Sequence, residues 1–285
     1  MNFPKQPVGL AGTVSLKKGA PMALKIAALQ SPGSPGDVAA NLAELTRAAK
    51  TAVAEGAELL ITSEMFLTGY NIGDLLQQFS ERDLLSAVQR IAVAERIALL
   101  VGLPEWQGDQ TFNSAVFIDE SGAVLGRHRK THLFGDLDRR YFTPGDRLVS
   151  TVEYRGLKIA ILICYDVEFP EATRAAAAAG VHLIAVPTAQ MKPFEFIAEQ
   201  LVRTRAWENQ VYLSYVNHSG SEGDLEYVGR SRIVDPFARV LDSAIDGTAL
   251  LFAEVDPELV RQAQRENPYL IDRRTDLYLN TQFPS

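Results

Sequence analysis

From Leu24 onward the chain alternates short apolar runs with helix-patterned segments, and it does so twice, which restricts it to layered α/β architectures. The first round reads as a strand at 26–29, a Pro/Gly turn at 31–36, a helix over 37–55 closed by Gly56, a strand at 59–62, a helix at 84–97 and a strand at 99–103. Two hairpins follow. Runs at 114–119 and 123–129 are joined by Glu120-Ser121-Gly122, and runs at 148–154 and 157–163 by Arg155-Gly156, with a polar loop at 131–146 between them. After residue 164 the grammar repeats as a helix at 170–179 stopped by Gly180, a strand at 183–187, a helix at 194–208, a strand at 211–216 and shorter strands near Ile233, Val240 and 250–255. No Pro/Gly/Ser linker parts the two halves. The expectation is one domain over 22–285 in which two sheets pack face to face with helices outside, a four-layer α-β-β-α sandwich, after an extension at 1–21 that shows neither period.

Composition removes several function classes. Twenty-eight Lys and Arg against 35 Asp and Glu give a net charge of −7 with no basic block, which argues against nucleic acid or an anionic membrane as the main partner. No apolar run approaches the ~18 residues of a membrane span. The single cysteine forms no internal disulfide, and residues 8–14 make a poor signal segment because they are few and followed by Lys17 and Lys18. A reducing cytoplasm is the expected location. Asn217-His218-Ser219 matches a glycosylation sequon, but without a secretory signal it reads as a polar loop after a strand.

Cys164 ends the second hairpin's buried strand and begins the polar stretch Tyr165-Asp166-Val167-Glu168-Phe169-Pro170-Glu171. Ligands of open α/β sheets bind beyond strand carboxyl ends, so a thiol there can meet a substrate, whereas a thiol within the strand would only pack. To act as a nucleophile it needs a base or a cation beside it. Two other strand ends supply them: Glu64 follows Leu60-Ile61-Thr62-Ser63, and Lys130 follows the run at 123–129. Of the four histidines, His128 and His182 fall in strand-like stretches, His218 in a loop, and His132 reads as loop packing near the site. There is no Cys/His cluster, H-E-x-x-H or phosphate-binding loop, so neither a metal nor a nucleotide cofactor is expected.

These residues resemble the carbon-nitrogen hydrolases, the nitrilase superfamily. The resemblance rests on Ile61-Thr62-Ser63-Glu64-Met65-Phe66, on Arg129-Lys130-Thr131-His132-Leu133-Phe134 and on Leu162-Ile163-Cys164-Tyr165-Asp166, in that order, and it spans about residues 24–255. It implies a Glu-Lys-Cys triad. Glu64 takes the thiol proton, Cys164 attacks a carbonyl carbon, and the oxyanion is held by the Lys130 ammonium and the Tyr165 backbone N–H. Members of the family commonly carry a second glutamate six residues before a Pro-Gly in the loop after the lysine. Here Asp138 stands there, one methylene shorter, with Asp136 as a possible substitute or a solvated loop acid as the alternative.

Tyr165-Asp166 after the cysteine is similar to the amidase and carbamoylase branches, where true nitrilases carry Trp-Glu. His132-Leu133-Phe134-Gly135-Asp136-Leu137-Asp138 is similar to bacterial amidases acting on small carboxamides, some of them R-stereoselective. The resemblance therefore favours a primary amide, with Phe66, Tyr70, Thr188, Ala189 and Met191 as pocket walls. The competing enzyme reading is hydrolysis of N-carbamoyl amino acids, for which Arg174 is the available cation; the non-enzymatic reading is an interaction module that keeps the fold. Self-association, at least to a homodimer, is expected from the resemblance and from Phe194, Ile197, Leu201 and Val202 on the helix at 194–208.

Overall fold

A computed structural model describes residues 23–278. The extension expected at 1–21 lies outside the described residues. The first half runs β1 (Leu24–Gln30), α1 (Val38–Ala54), β2 (Leu59–Ile61), α2 (Leu84–Glu95), β3 (Ala98–Gln107), β4 (Gln110–Ile118) and β5 (Val124–Arg129). The Asp37 carboxylate caps α1 by accepting from the Ala40 N–H at 2.9 Å. Then come α3 (Gly135–Tyr141), β6 (Ser150–Tyr154), β7 (Leu157–Ile161), α4 (Pro170–Ala178), β8 (Leu183–Pro187), α5 (Val202–Asn209) and β9 (Tyr212–Val216). The chain continues through the short pair β10 (Ser221–Glu222) and β11 (Leu225–Glu226), then β12 (Arg232–Val234), β13 (Val240–Ser243), β14 (Ala249–Val255) and α6 (Pro257–Glu266).

Two six-stranded sheets form, ordered β14-β1-β2-β3-β4-β5 and β13-β12-β9-β8-β7-β6. Within each, three neighbouring strands are parallel, β1-β2-β3 in one and β7-β8-β9 in the other, and the outer strands are antiparallel. The central strands read as unbroken apolar runs because both of their faces are covered. Along β1, Leu24, Ile26 and Ala28 face the layer between the sheets, while Ala27 and Leu29 lie in the cluster that α1 and α2 cover. Along β7, Leu157, Ile159 and Ile161 enter the inter-sheet layer, and Ala160 packs toward α4 and α5. The β6–β7 turn has positive φ at both Arg155 and Gly156, as a two-residue type I′ hairpin requires.

Three elements differ from the sequence expectation. The polar loop at 131–146 contains α3, whose first turn carries Asp136 and Asp138 and whose last turn carries Arg139 and Arg140, charges that suit the helix dipole. The helix expected at 194–208 is helical from Glu195, but its turn at Ile197–Leu201 is π-helical before a regular α-helix resumes at Val202. Val202 is wholly buried in the core under α4 and α5, so it is unavailable to a partner copy, whereas Phe194 is 41 % exposed and Phe196 64 %. The strand before Cys164 stops at Ile161, since Cys164 takes φ +46° and turns the chain out of the sheet. Among the described residues no helix is long and apolar enough to cross a membrane.

Candidate active site

The polar residues collect where β2, β7, β8 and β9 end at their carboxyl edges and where β5 ends beside them. After β2 the chain crosses over β3, and Gly102 makes the crossing possible: a Cβ there would lie 2.3 Å from the Ser63 carbonyl oxygen and 2.6 Å from the Met65 nitrogen. Met65 itself holds φ +51°. Glu64 is thereby turned toward the second sheet, where its N–H donates to the Thr188 carbonyl at 3.3 Å and its own carbonyl accepts from His218 Nε2 at 2.6 Å.

The Glu64 carboxylate is fully buried. Its Oε1 accepts from Asn113 Nδ2 at 2.6 Å and from Lys130 Nζ at 2.7 Å, and its Oε2 has no partner among the described residues. Burial raises the pKa of Glu64, more than the Lys130 ammonium takes back. Lys130 is fixed at both backbone ends, its N–H donating to the Asn113 carbonyl and its carbonyl accepting from Gly145, each at 2.8 Å. Its ammonium lies 2.7 Å from Asp138 Oδ2 as well as 2.7 Å from Glu64. Burial alone would discharge this lysine; the two carboxylates outweigh it and hold its pKa well above the ordinary value.

Asp138 reaches Lys130 because α3 carries it inward, and it is fully buried. Its Oδ2 also accepts the Phe134 N–H at 2.8 Å and its Oδ1 the Tyr70 hydroxyl at 2.8 Å, so the solvated-acid alternative is excluded. Asp136 is exposed on the same helix and is no substitute. Cys164 opens a 3₁₀ turn, Cys164–Glu168, and is 6 % exposed. Its thiol lies 3.7 Å from Gln190 Oε1 and faces the Ala189 N–H. Burial and then the Glu64 charge raise the thiol pKa, against Lys130. As second residue of that turn, Tyr165 presents one of the leading N–H groups, which have no partner within the turn.

Of the pocket candidates, Tyr70 and Met191 share a small cluster with Met65, Phe142 and Tyr227 beside Asp138, and Ala189 adjoins the thiol. Phe66 does not line the site. The left-handed Met65 sends it into the core beneath α1 and α2. The Thr188 side chain is likewise turned inward, donating to the Val186 carbonyl at 3.2 Å; only its backbone serves Glu64. Arg174 is off the buried face of α4 and lines a surface hollow with Glu208 and Arg273, away from the thiol.

Three residues of the site escaped the sequence reading. Asn113 sits in the apolar strand Thr111-Phe112-Asn113-Ser114-Ala115-Val116, where a buried amide was the available signal. His218 lies within the supposed polar loop yet is 2 % exposed, stacked on Tyr227 and bonded to the Glu64 backbone, which also removes the sequon from solvent. Asp166 is a fully buried hub: Oδ1 accepts from Thr131 N, Thr131 Oγ1 and His132 N, and Oδ2 accepts from Ile163 N. His132 Nδ1 lies 2.8 Å from Oδ1 and His128 Nε2 3.1 Å from Oδ2. Burial would raise this carboxyl, but the bonds from His128, His132 and Thr131 hold it well below the usual carboxylate range. It thus clamps the segment after Lys130 to the turn that carries Cys164. No group of three or more His, Cys, Asp or Glu among the described residues is arranged to hold a metal ion.

The sequence profile of the carbon-nitrogen hydrolases matches residues 25–265. The chain belongs to the carbon-nitrogen hydrolase family. It is a hydrolase of the family's amidase branch. The chain is 41 % identical to a protein of Pseudomonas protegens described as a hydrolase in the pqqF 5′ region, over 96 % of this chain and 97 % of that one. It is 35 % identical to an (R)-stereoselective amidase of a Pseudomonas species, over 88 % of this chain and 92 % of that one. Among solved structures, an amidase mutant from a Nesterenkonia species in complex with acrylamide superposes with a TM-score of 0.84 at 33 % identity, covering 93 % of this chain and 99 % of that one. Another mutant of that amidase shows covalent addition of the acetamide moiety of fluoroacetamide at its active site cysteine, at a TM-score of 0.83 and 34 % identity, covering 93 % of this chain and 98 % of that one.

Proposed function

We propose that this carbon-nitrogen hydrolase converts a small primary carboxamide to a carboxylate and ammonia through a Cys164 thioester, with Glu64 as base and Lys130 as oxyanion stabiliser. The observation that carries the reading is a buried ammonium gripped by Glu64 and Asp138 beside the thiol, with Glu64 Oε2 left free. The raised pKa values of both Cys164 and Glu64 describe a thiol and a carboxylate that exchange a proton only as the reaction proceeds. As Glu64 removes the thiol proton, the sulfur bonds to the amide carbon and the carbonyl oxygen gains charge, which Lys130 and the Tyr165 N–H neutralise. The protonated Glu64 then gives its proton to the departing nitrogen. Ammonia leaves and the thioester remains. Glu64 next deprotonates a water molecule that attacks the thioester, and the returning proton restores the thiol. Asp138 keeps Lys130 charged and aimed throughout.

The N-carbamoyl amino acid alternative loses the cation that favoured it, because Arg174 lines a surface hollow and Lys130 is already paired with Glu64 and Asp138. A panel of small amides, carbamoyl amino acids and nitriles with ammonia detection tests the proposal: turnover confined to the amides is expected, and turnover of carbamoyl compounds or nitriles alone rejects it. A homodimer is part of the same proposal, supported by the exposed Phe196 and Trp207 on the outer side of the second sheet's helices.

A further inference from the structure

Glu168 ends the turn that Cys164 begins, and its place there is fixed from below. Arg205 donates to the Val167 carbonyl through Nε at 3.0 Å and to the Glu168 carbonyl through Nη2 at 2.6 Å. The remaining arm of that guanidinium is taken by Glu208 at 2.9 Å. Lys130, the other cation acting on Glu168, is committed to Glu64 and Asp138. Among the described residues no Lys, Arg or His nitrogen forms an ion pair with the Glu168 carboxylate. Its polar neighbour is the Gln190 side chain, whose Oε1 is 3.7 Å from the Cys164 sulfur, so the carboxylate and the nucleophile lie on either side of one amide group. Glu64, Asp138 and Glu168 thus all act on the Lys130 ammonium, and only the first two are paired with it.

We propose that Glu168 is a specificity-determining residue, a half-buried carboxyl beside the nucleophile that in its ionised form favours amides bearing a protonated amine and disfavours amides bearing a carboxylate. This rests on the amidase reading above and names the charge class of its substrate. Burial pushes the pKa of Glu168 up to about 7 against Lys130, Arg205 and Gln190, which marks a carboxylate whose charge the protein leaves incompletely matched. A substrate ammonium would supply the missing partner. A second anion would meet repulsion there, since Lys130 and Arg205, the cations acting on Glu168, are already paired. Because Glu168 is only partly withdrawn from water, screening limits the discrimination to about tenfold for cation over neutral, and more for cation over anion.

The test compares three primary amides of nearly equal length, 4-aminobutanamide, pentanamide and glutaramate, by ammonia release. The readout is the ratio of kcat/KM values within each protein, so partial loss of folded enzyme cancels. The wild-type enzyme is expected to prefer 4-aminobutanamide to pentanamide by about tenfold and to turn over glutaramate worst. Glu168→Gln should collapse the cation-to-neutral ratio to within about twofold, and Glu168→Asp should keep a ratio above that. Turnover of all three amides with no charge preference, or a preference that survives Glu168→Gln, overturns this inference and leaves the amidase reading standing. No turnover of any primary amide overturns both.

Discussion

Asp138→Asn isolates one charge. The carboxylate makes three polar contacts, hydrogen bonds from Tyr70 at Oδ1 and from Phe134 N–H at Oδ2 and an ion pair with Lys130 at Oδ2. An asparagine whose oxygen takes the Oδ2 position keeps two of them, and its amide can donate to the Tyr70 hydroxyl, which reverses its own hydrogen to accept. Geometry survives and the negative charge does not. A polar contact to a charged group contributes about 1.5–3 kcal/mol and a neutral one about 1 kcal/mol, so the Lys130 ammonium loses about 0.5–2 kcal/mol of positioning and charge stabilisation. Carried fully into the transition state, that is a fall of about 2- to 30-fold in kcat/KM. The Asp138 charge also helps raise the Glu64 pKa, so the acid limb of the pH–rate profile should move to lower pH in Asp138→Asn. The assay is steady-state ammonia release from a small amide across pH, with thermal unfolding measured alongside. A kcat/KM within twofold of wild type at every pH, or a loss that merely follows a lowered Tm, would refute the reasoning.

Cys164→Ala should abolish turnover with little change in Tm, and intact mass of wild type trapped during turnover should show an acyl adduct that the variant lacks. Lys130→Ala should lose at least about a hundredfold in kcat, the scale of one deleted oxyanion donor; a wild-type kcat would remove it from the mechanism. Asp166 has its carboxyl depressed in the folded state, so it stabilises the fold above the ordinary carboxylate value and loses that contribution as pH falls below about 4. Accordingly Asp166→Asn should lower stability by about 2 kcal/mol or more at pH 7, with the gap to wild type narrowing in acid, as denaturant titrations at several pH values would reveal. Light scattering that returns the monomer mass across micromolar concentrations would reject the homodimer.

The strands were legible because burial on both faces forces unbroken apolar runs such as Leu183–Pro187, and the candidates Glu64, Lys130 and Cys164 were legible because each follows a strand-like run, although the one before Lys130, Val124–Arg129, is polar and largely exposed. What stayed hidden is tertiary. Gly135–Tyr141 is dense in charge and reads as solvated, yet it is a helix whose Asp138 points inward because Lys130 awaits it. Phe66 stands two residues from Glu64 and would be taken for a pocket wall; the positive φ of Met65 reverses its direction, and no feature of residue type announces that. Asn113 acts from β4 and His218 from the segment just after β9, both far in sequence from Glu64. The helix at 194–208 was legible in extent but not in its π-helical turn at Ile197–Leu201, since periodicity reports which face is apolar and not which hydrogen bonds close each turn.

Glu64 and Lys130 hang from one sheet while Cys164 and Ala189 hang from the other. The thiol therefore meets Glu64 and Lys130 only when the two halves of the chain have come together. A polypeptide emerging from synthesis carries Glu64 and Lys130 before Cys164 is made, so on the proposed mechanism the set comes together only when the second sheet folds against the first. The same partition makes catalysis a gauge of how the halves are seated: trimming a side chain such as Ile161 in the layer between them should slacken turnover before it shows as unfolding, because a shift of about 1 Å is enough to part a base from its proton.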